Sequence, residues 1–195
     1  MILLLAFALA VAWGLVRGGS FAHFKSLPLQ GYWLAIVAFG LQVIVVYSPL
    51  PVTLDASARV SLLFVSYLIL AGFVWWNRRL PGMWIIGLGL LSNWLVILAN
   101  GGYMPITYEA LVAAGRTNLV ASTATGTLVF GSKDILLPLS ETRLWFLSDI
   151  FVIPPPFPIP SIFSIGDGFI AFGMFRLVAF ALGVPAQVPV KSESA

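Results

Sequence analysis

The chain has 195 residues, 60% of them hydrophobic and 9% charged, with a mean hydropathy of +1.02. Soluble domains carry roughly 25% charged residues, so an ordinary water-soluble monomer is excluded and lipid is indicated as the main solvent. The net charge of +3 is small, and the Lys and Arg residues stand at the ends of apolar runs, which argues against nucleic acid.

No cysteine is present, which removes disulfides, thiolate nucleophiles and thiolate metal sites, and a single histidine excludes a multi-histidine metal site. No metal or covalent cofactor is implied.

Residues 1–16 are almost wholly apolar and stop at Arg17. The run is expected to be a short first transmembrane helix. A signal peptide is the alternative, because Ala8-Leu9-Ala10 resembles a cleavage site, but no basic segment precedes it. A loop with His23, Lys25 and Pro28 follows, and His23 reads as a solvated loop histidine. Residues 31–48 form the second expected span, with Gln42 as its one strongly polar side chain and Pro49 and Pro51 as its stop. After a link with Asp55 and Arg59, residues 60–76 form the third, closed by Asn77-Arg78-Arg79 and Pro81-Gly82. The fourth is 83–100, ended by Gly101-Gly102.

Residues 101–160 are wetter and richer in Pro, Gly, Ser and Thr. A short helix is expected at 108–114, with Glu109 in its first turn, and a loop or hairpin at 117–133. Residues 140–150 carry a cap in Ser140, an acid at Glu141 and the run Leu144-Trp145-Phe146-Leu147, which predicts an amphipathic helix at the membrane surface. The prolines of 153–160 predict an extended polyproline spacer. A fifth span is expected at 161–182, with a polar tail at 191–195, and no internal repeat of the kind found in inverted-repeat transporters is visible.

Basic residues flank the first and third links (Arg17, Lys25; Arg78, Arg79), so these are placed in the cytoplasm, with the N-terminus and residues 101–160 outside and the C-terminus inside. Trp13, Trp33, Trp75, Trp76 and Trp84 all fall beside those basic links, as an interfacial belt would. At ~1.5 Å per residue, Gln42, Tyr67, Asn93 and Asp167 each lie roughly 9–10 Å in from the outer ends of their spans. An acid at that depth is costly unless it faces the bundle and has a partner, for which Asn93 and Arg143 are the candidates. Arg176 is deeper and reaches the cytoplasmic surface instead. These polar groups are either interhelical glue, worth about 0.6 kcal/mol each and at most ~2, or the lining of a cavity open to the outside. The candidate ligand-binding set is therefore Gln42, Tyr67, Asn93, Asn100, Arg143, Asp149 and Asp167.

The motifs Asn100-Gly101-Gly102-Tyr103-Met104-Pro105, Thr142-Arg143-Leu144-Trp145-Phe146-Leu147-Ser148-Asp149 and Ser164-Ile165-Gly166-Asp167 resemble an uncharacterised bacterial membrane-protein family, a domain of unknown function. The resemblance runs from about the second span to the fifth. It implies a multi-helix inner-membrane protein and supplies no activity, cofactor or substrate.

The expected fold is an all-α, single-domain, five-helix transmembrane bundle with a Pro-rich extracytoplasmic loop region carrying short interfacial helices. Its partners would be the lipid bilayer and other membrane subunits. Three functions are compatible with that fold. They are an accessory subunit of a membrane complex, a ligand-binding or transport protein, and an intramembrane enzyme using Asp149 and Asp167.

Overall fold

A computed structural model describes residues 2–47 and 56–183. The link with Pro49, Pro51 and Asp55 and the tail at 191–195 lie outside the described residues. The chain is mostly helical. The five long helices are α1 (Ile2–Val16), α2 (Tyr32–Tyr47), α3 (Ala56–Trp76), α4 (Met83–Ala99) and α6 (Ile165–Ala181), with short α5 (Tyr108–Ala113) between the last two. Each long helix is a run of Leu, Ile, Val, Ala and aromatics free of proline, so nothing interrupts its backbone bonding. Ser57–Trp76 is the one described helix both long and apolar enough to cross a bilayer by itself, and the other four have 15–17 residues.

Two helix starts differ from expectation. Helix α3 begins four residues before residue 60, at Ala56, which takes Arg59 into its first turn. There the guanidinium donates to the Val45 carbonyl near the end of α2 (3.1 Å), where a cation suits the exposed carbonyls. Helix α6 begins at Ile165 rather than 161, because Ser161–Phe163 is a β-strand and Ser164 is the helix cap.

The long helices pack in the order α1–α6–α4–α3–α2, and no comparable packing joins α1 to α2. The α4–α6 seam is the most extensive. It is antiparallel and closes on two pairs of glycines, each seven residues apart along its helix: Gly89 with Gly166, and Gly82 with Gly173. A Cβ at Gly166 would lie 2.8 Å from the Gly89 carbonyl oxygen, and one at Gly173 would lie 2.7 Å from that of Gly82. Only glycine lets the backbones come this close. Along α3 and α4 the helices instead leave an apolar groove of about 280 Å³ between them.

Residues 101–163 form a cap at one end of the row, and the chain is not all-α. Strand β1 (Met104–Ile106) pairs in parallel with β2 (Asp134–Leu136), while β3 (Phe151–Ile153) pairs antiparallel with β4 (Ser161–Phe163). The cap has its own apolar core of Ile106, Ala110, Leu111, Val129 and Leu136. A second core of Val45, Leu63, Tyr67, Val96, Ile97 and Met104 joins it to the helices. The 117–133 segment is a loop closed by a short hairpin-like pairing, with Leu136 N–H donating to the Thr127 carbonyl at 2.9 Å.

Two predicted elements are absent here. Residues 140–150 hold turns and a single 3₁₀ turn (Trp145–Leu147), not an amphipathic helix. The Asn100 amide donates to the Arg143 carbonyl (2.8 Å) and accepts from the Arg143 N–H (3.0 Å), taking the groups a helix would need, and Leu144 turns left-handed at φ 54°. The prolines do not form an extended spacer either. They make the turn of the β3–β4 hairpin, whose ends are held by stacked Phe151 and Phe163 rings 5.6 Å apart. In that turn a missing N–H costs no ladder bond.

Candidate functional site

The exit of α4 organises the site. Asn100 caps the helix, and Gly101 and Gly102 adopt φ of 71° and 91°. The Gly102 N–H donates to the Ile97 carbonyl (2.8 Å) and that of Gly101 to Leu98 (3.4 Å), the Schellman arrangement that reverses the chain. This reversal sends Met104–Ile106 straight into the cap as β1.

Backbone bonds on both sides of β1 then gather the charged residues. Met104 N–H donates to the Lys133 carbonyl (3.1 Å) on one side, and Asp149 N–H donates to the Pro105 carbonyl (3.2 Å) on the other. Lys133, Asp134 and Asp149 are thereby brought against Tyr67 of α3 and the first turn of α6. The Lys133 ammonium donates to the Tyr67 hydroxyl at 3.5 Å. Burial pulls the Lys133 pKa down, but Tyr67, Asp167, Asp149 and Asp134 around it hold the ammonium above the usual lysine range. Asp149 is buried, with Oδ1 lacking any hydrogen-bond partner. Desolvation first, and then the negative neighbours Asp134 and Asp167, push its carboxyl well above the usual carboxylate range despite Lys133. Asp134 is also raised by burial, with Ser132 and Lys133 opposing. The group is one cation, Lys133, among three acids, Asp134, Asp149 and Asp167, and burial favours the neutral form of Asp149 and Asp134 relative to a carboxylate in water.

The polar residues of the helices fall into separate sets rather than one layer. Between α4 and α6, Asn93 donates to Asp167 Oδ1 (2.7 Å) and accepts from the Ser164 hydroxyl (2.8 Å). Ser164 and Asp167 also form a reciprocal capping box, with Asp167 N–H donating to Ser164 Oγ (3.0 Å) and Ser164 N–H to Asp167 Oδ2 (3.4 Å). Asp167 thus sits in the first turn of α6, ~3 Å from its start, and not at the 9–10 Å depth expected. Its partner is Asn93, one of the two expected. The other, Arg143, is exposed and contributes its backbone to Asn100. Between α2 and α3, Gln42 donates to Ser66 Oγ (3.2 Å), which donates to the Leu63 carbonyl (2.7 Å).

Of the seven expected residues, Tyr67, Asp149 and Asp167 surround Lys133, and Asn93 joins them through Asp167. Gln42 stands apart with Ser66, and Asn100 and Arg143 form a backbone clamp. Sequence reasoning missed Lys133, Asp134 and Ser164. His23 is exposed, not in a loop but in a short 3₁₀ helix (Phe21–Ser26), where its ring borders Gly183. Two cavities among the described residues, one between α3 and α4 and one beside Phe151, Phe163 and the start of α6, are predominantly apolar in lining. Among the described residues no cluster of three His, Cys, Asp or Glu is arranged to hold a metal ion.

No curated protein and no solved structure matches the chain. A family of unknown function (DUF5317) matches residues 26–179, the stretch from the loop before α2 almost to the end of α6. The seam, the cap and the buried charge cluster all lie within that span, and the chain belongs to this family.

Proposed function

We propose that the chain is a multi-pass protein of the bacterial inner membrane, a five-helix transmembrane bundle acting as an accessory or structural subunit of a larger membrane complex. The observation that carries the membrane placement is apolar surface. Only 22% of the apolar stretch in α3 is buried, and Leu4, Phe7, Ile36, Phe39, Leu68, Leu88 and Phe172 stand exposed along the row. In water such a surface would drive aggregation, whereas lipid matches it. Exposed Trp13, Trp33, Trp75, Trp76 and Trp84 lie beside Arg17, Lys25, Arg78 and Arg79. Every acid among the described residues belongs to the cap or the first turn of α6. The cationic, aromatic end suits the cytoplasmic face, with the cap and the N-terminus outside and the C-terminus inside. The helices of 15–17 residues reach about 22–25 Å against a hydrocarbon core of about 30 Å, so local bilayer thinning or flanking subunits would accommodate them.

The subunit role is supported by the open row, whose end helices α1 and α2 lack extensive packing on each other. Purification from native membranes in mild detergent tests it: a stoichiometric membrane partner is expected. A monodisperse 21.1 kDa monomer without partners would overturn it.

A second reading, a proton-exchanging or small-ligand site at the cap, is favoured by the partnerless Asp149 Oδ1 beside Lys133. It expects an infrared carbonyl band from a protonated acid at neutral pH that disappears in Asp149→Asn, and a spectrum unchanged by the substitution would remove it. An enzyme built on Asp149 and Asp167 has less support, because Asp167 is engaged by Asn93 and by the α6 cap.

A further inference from the structure

The groove between α3 and α4 runs from Tyr67 and Trp94 to the edge-to-face pair Trp75 and Trp84, whose centroids are 6.2 Å apart. Ala71, Val74, Gly87, Leu88 and Leu91 line it. Its small residues create the recess, since a Cβ at Gly87 would already lie 3.0 Å from Val74 Cγ1. The ten residues from Trp84 to Trp94 make it ~15 Å long, running along the helices. Its volume of about 280 Å³ is far less than a helix about 10–12 Å in diameter with side chains would fill over that length.

Its mouth at Trp75 and Trp84 is cationic. The Arg78 guanidinium lies 4.5 Å over the Trp75 ring, and its Nη1 donates to the Trp75 carbonyl (2.9 Å). Among the described residues no acceptor is seen for its other N–H groups, Arg79 is exposed beside it, and none of the described acids is at this end. A guanidinium held over an indole and anchored by one N–H still has other N–H groups to offer a phosphate.

Resting on the membrane reading above, we propose that this groove holds one acyl chain of an anionic phospholipid from the cytoplasmic leaflet, with its phosphate at Arg78. The chain terminus then abuts Tyr67 and Trp94 near mid-membrane. The uncompensated positive charge of this end selects a lipid of net negative charge over a zwitterionic one.

The test uses the full chain purified in a neutral maltoside detergent and given phosphatidylglycerol and phosphatidylcholine of identical chains. Native mass spectrometry reads what is retained, and thermal melting reads the stabilisation. Wild type is expected to retain one phosphatidylglycerol in preference to phosphatidylcholine. Arg78→Gln should keep a lipid but lose about fivefold of that preference. Ala71→Phe should fill the groove and abolish retention, and Leu91→Trp provides the same block if the first variant does not fold. Equal retention of the two lipids by wild type, or unchanged retention in a folded groove-filled variant, overturns the proposal. Carbonate extraction of expressing cells separates the two failures. Release into the soluble fraction would remove the membrane reading itself, while a membrane-retained protein without lipid preference removes only the site.

Discussion

Helix α4 meets its two neighbours in opposite ways. On one face Gly82, Gly89 and Asn93 follow a helical stripe, and α6 comes close enough for backbone to touch backbone, with Asn93 hydrogen-bonded across the seam. On another, Gly87, Leu88, Leu91 and Trp94 border a groove that α3 leaves unfilled. Close backbone packing and hydrogen bonds set the first seam, with Asn93 bonded to Ser164 and Asp167 across it. The second relies on side chains against whatever apolar material surrounds them. The same helix therefore carries one face specialised for position and another that tolerates a guest.

The comparison can be broken most forcefully at Gly89. Gly89→Leu places a side chain against the Gly166 carbonyl and the Ile170 backbone, where neither element can yield. Overpacking costs typically ~1–3 kcal/mol and more where the backbone is fixed, so loss of the monodisperse species, or the largest fall in melting temperature of the set, is expected in detergent. A mild effect would mean that the seam is looser than its geometry.

Asn93→Ala comes next. It strips the Ser164 hydroxyl and the Asp167 carboxylate of their shared partner, at an expected ~1–2 kcal/mol, read from the same melts. A variant as stable as wild type would reduce the seam to glycine packing alone.

The third probe sits where both seams run into the cap. Asp149 ionises near its ordinary value, about 4, in the unfolded chain, and at higher pH when folded and buried. Between those two values the folded state binds more protons, so stability is greatest at low pH and declines as pH rises through that window. The melting temperature of wild type should fall with rising pH there, and Asp149→Asn should flatten the profile. A variant that keeps the full slope would assign it to Asp134, which titrates in the same direction.

The smallest effect is expected at Gly72→Ala on the exposed side of α3, where an added Cβ meets nothing within 4 Å. A gain of up to about 1 kcal/mol is expected from helix propensity. A loss would show that another helix covers this face in the folded assembly.

The long helices were legible because an apolar run without proline leaves few alternatives, and Gly101-Gly102 marks one end plainly. Asn93 and Asp167 were legible for the same reason, as polar groups set in apolar runs. The start of α6 was not, because Ser161-Ile162-Phe163 continues the apolar pattern while being a strand. The signal lay three residues on, where Ser164 and Asp167 have the spacing of a capping box. The helix predicted at 140–150 failed because Asn100, forty-three residues earlier, claims the Arg143 backbone, and local propensity cannot anticipate that. Lys133 was invisible for a related reason. Its surroundings arise from a parallel strand pairing and from the Asp149 segment on the far side of β1, both distant in sequence.

The bond pair at Asn93 has a consequence for how this chain can change length. Helix α6 takes its axial register from α4, through Ser164 and Asp167, and not from the sixty or so residues that connect them. Residues 121–126 are all exposed in a surface turn away from that junction. Insertions and deletions there are uncoupled from helix alignment, so the cap can be reshaped, by evolution or by an inserted reporter, over a helical frame that keeps its own measure.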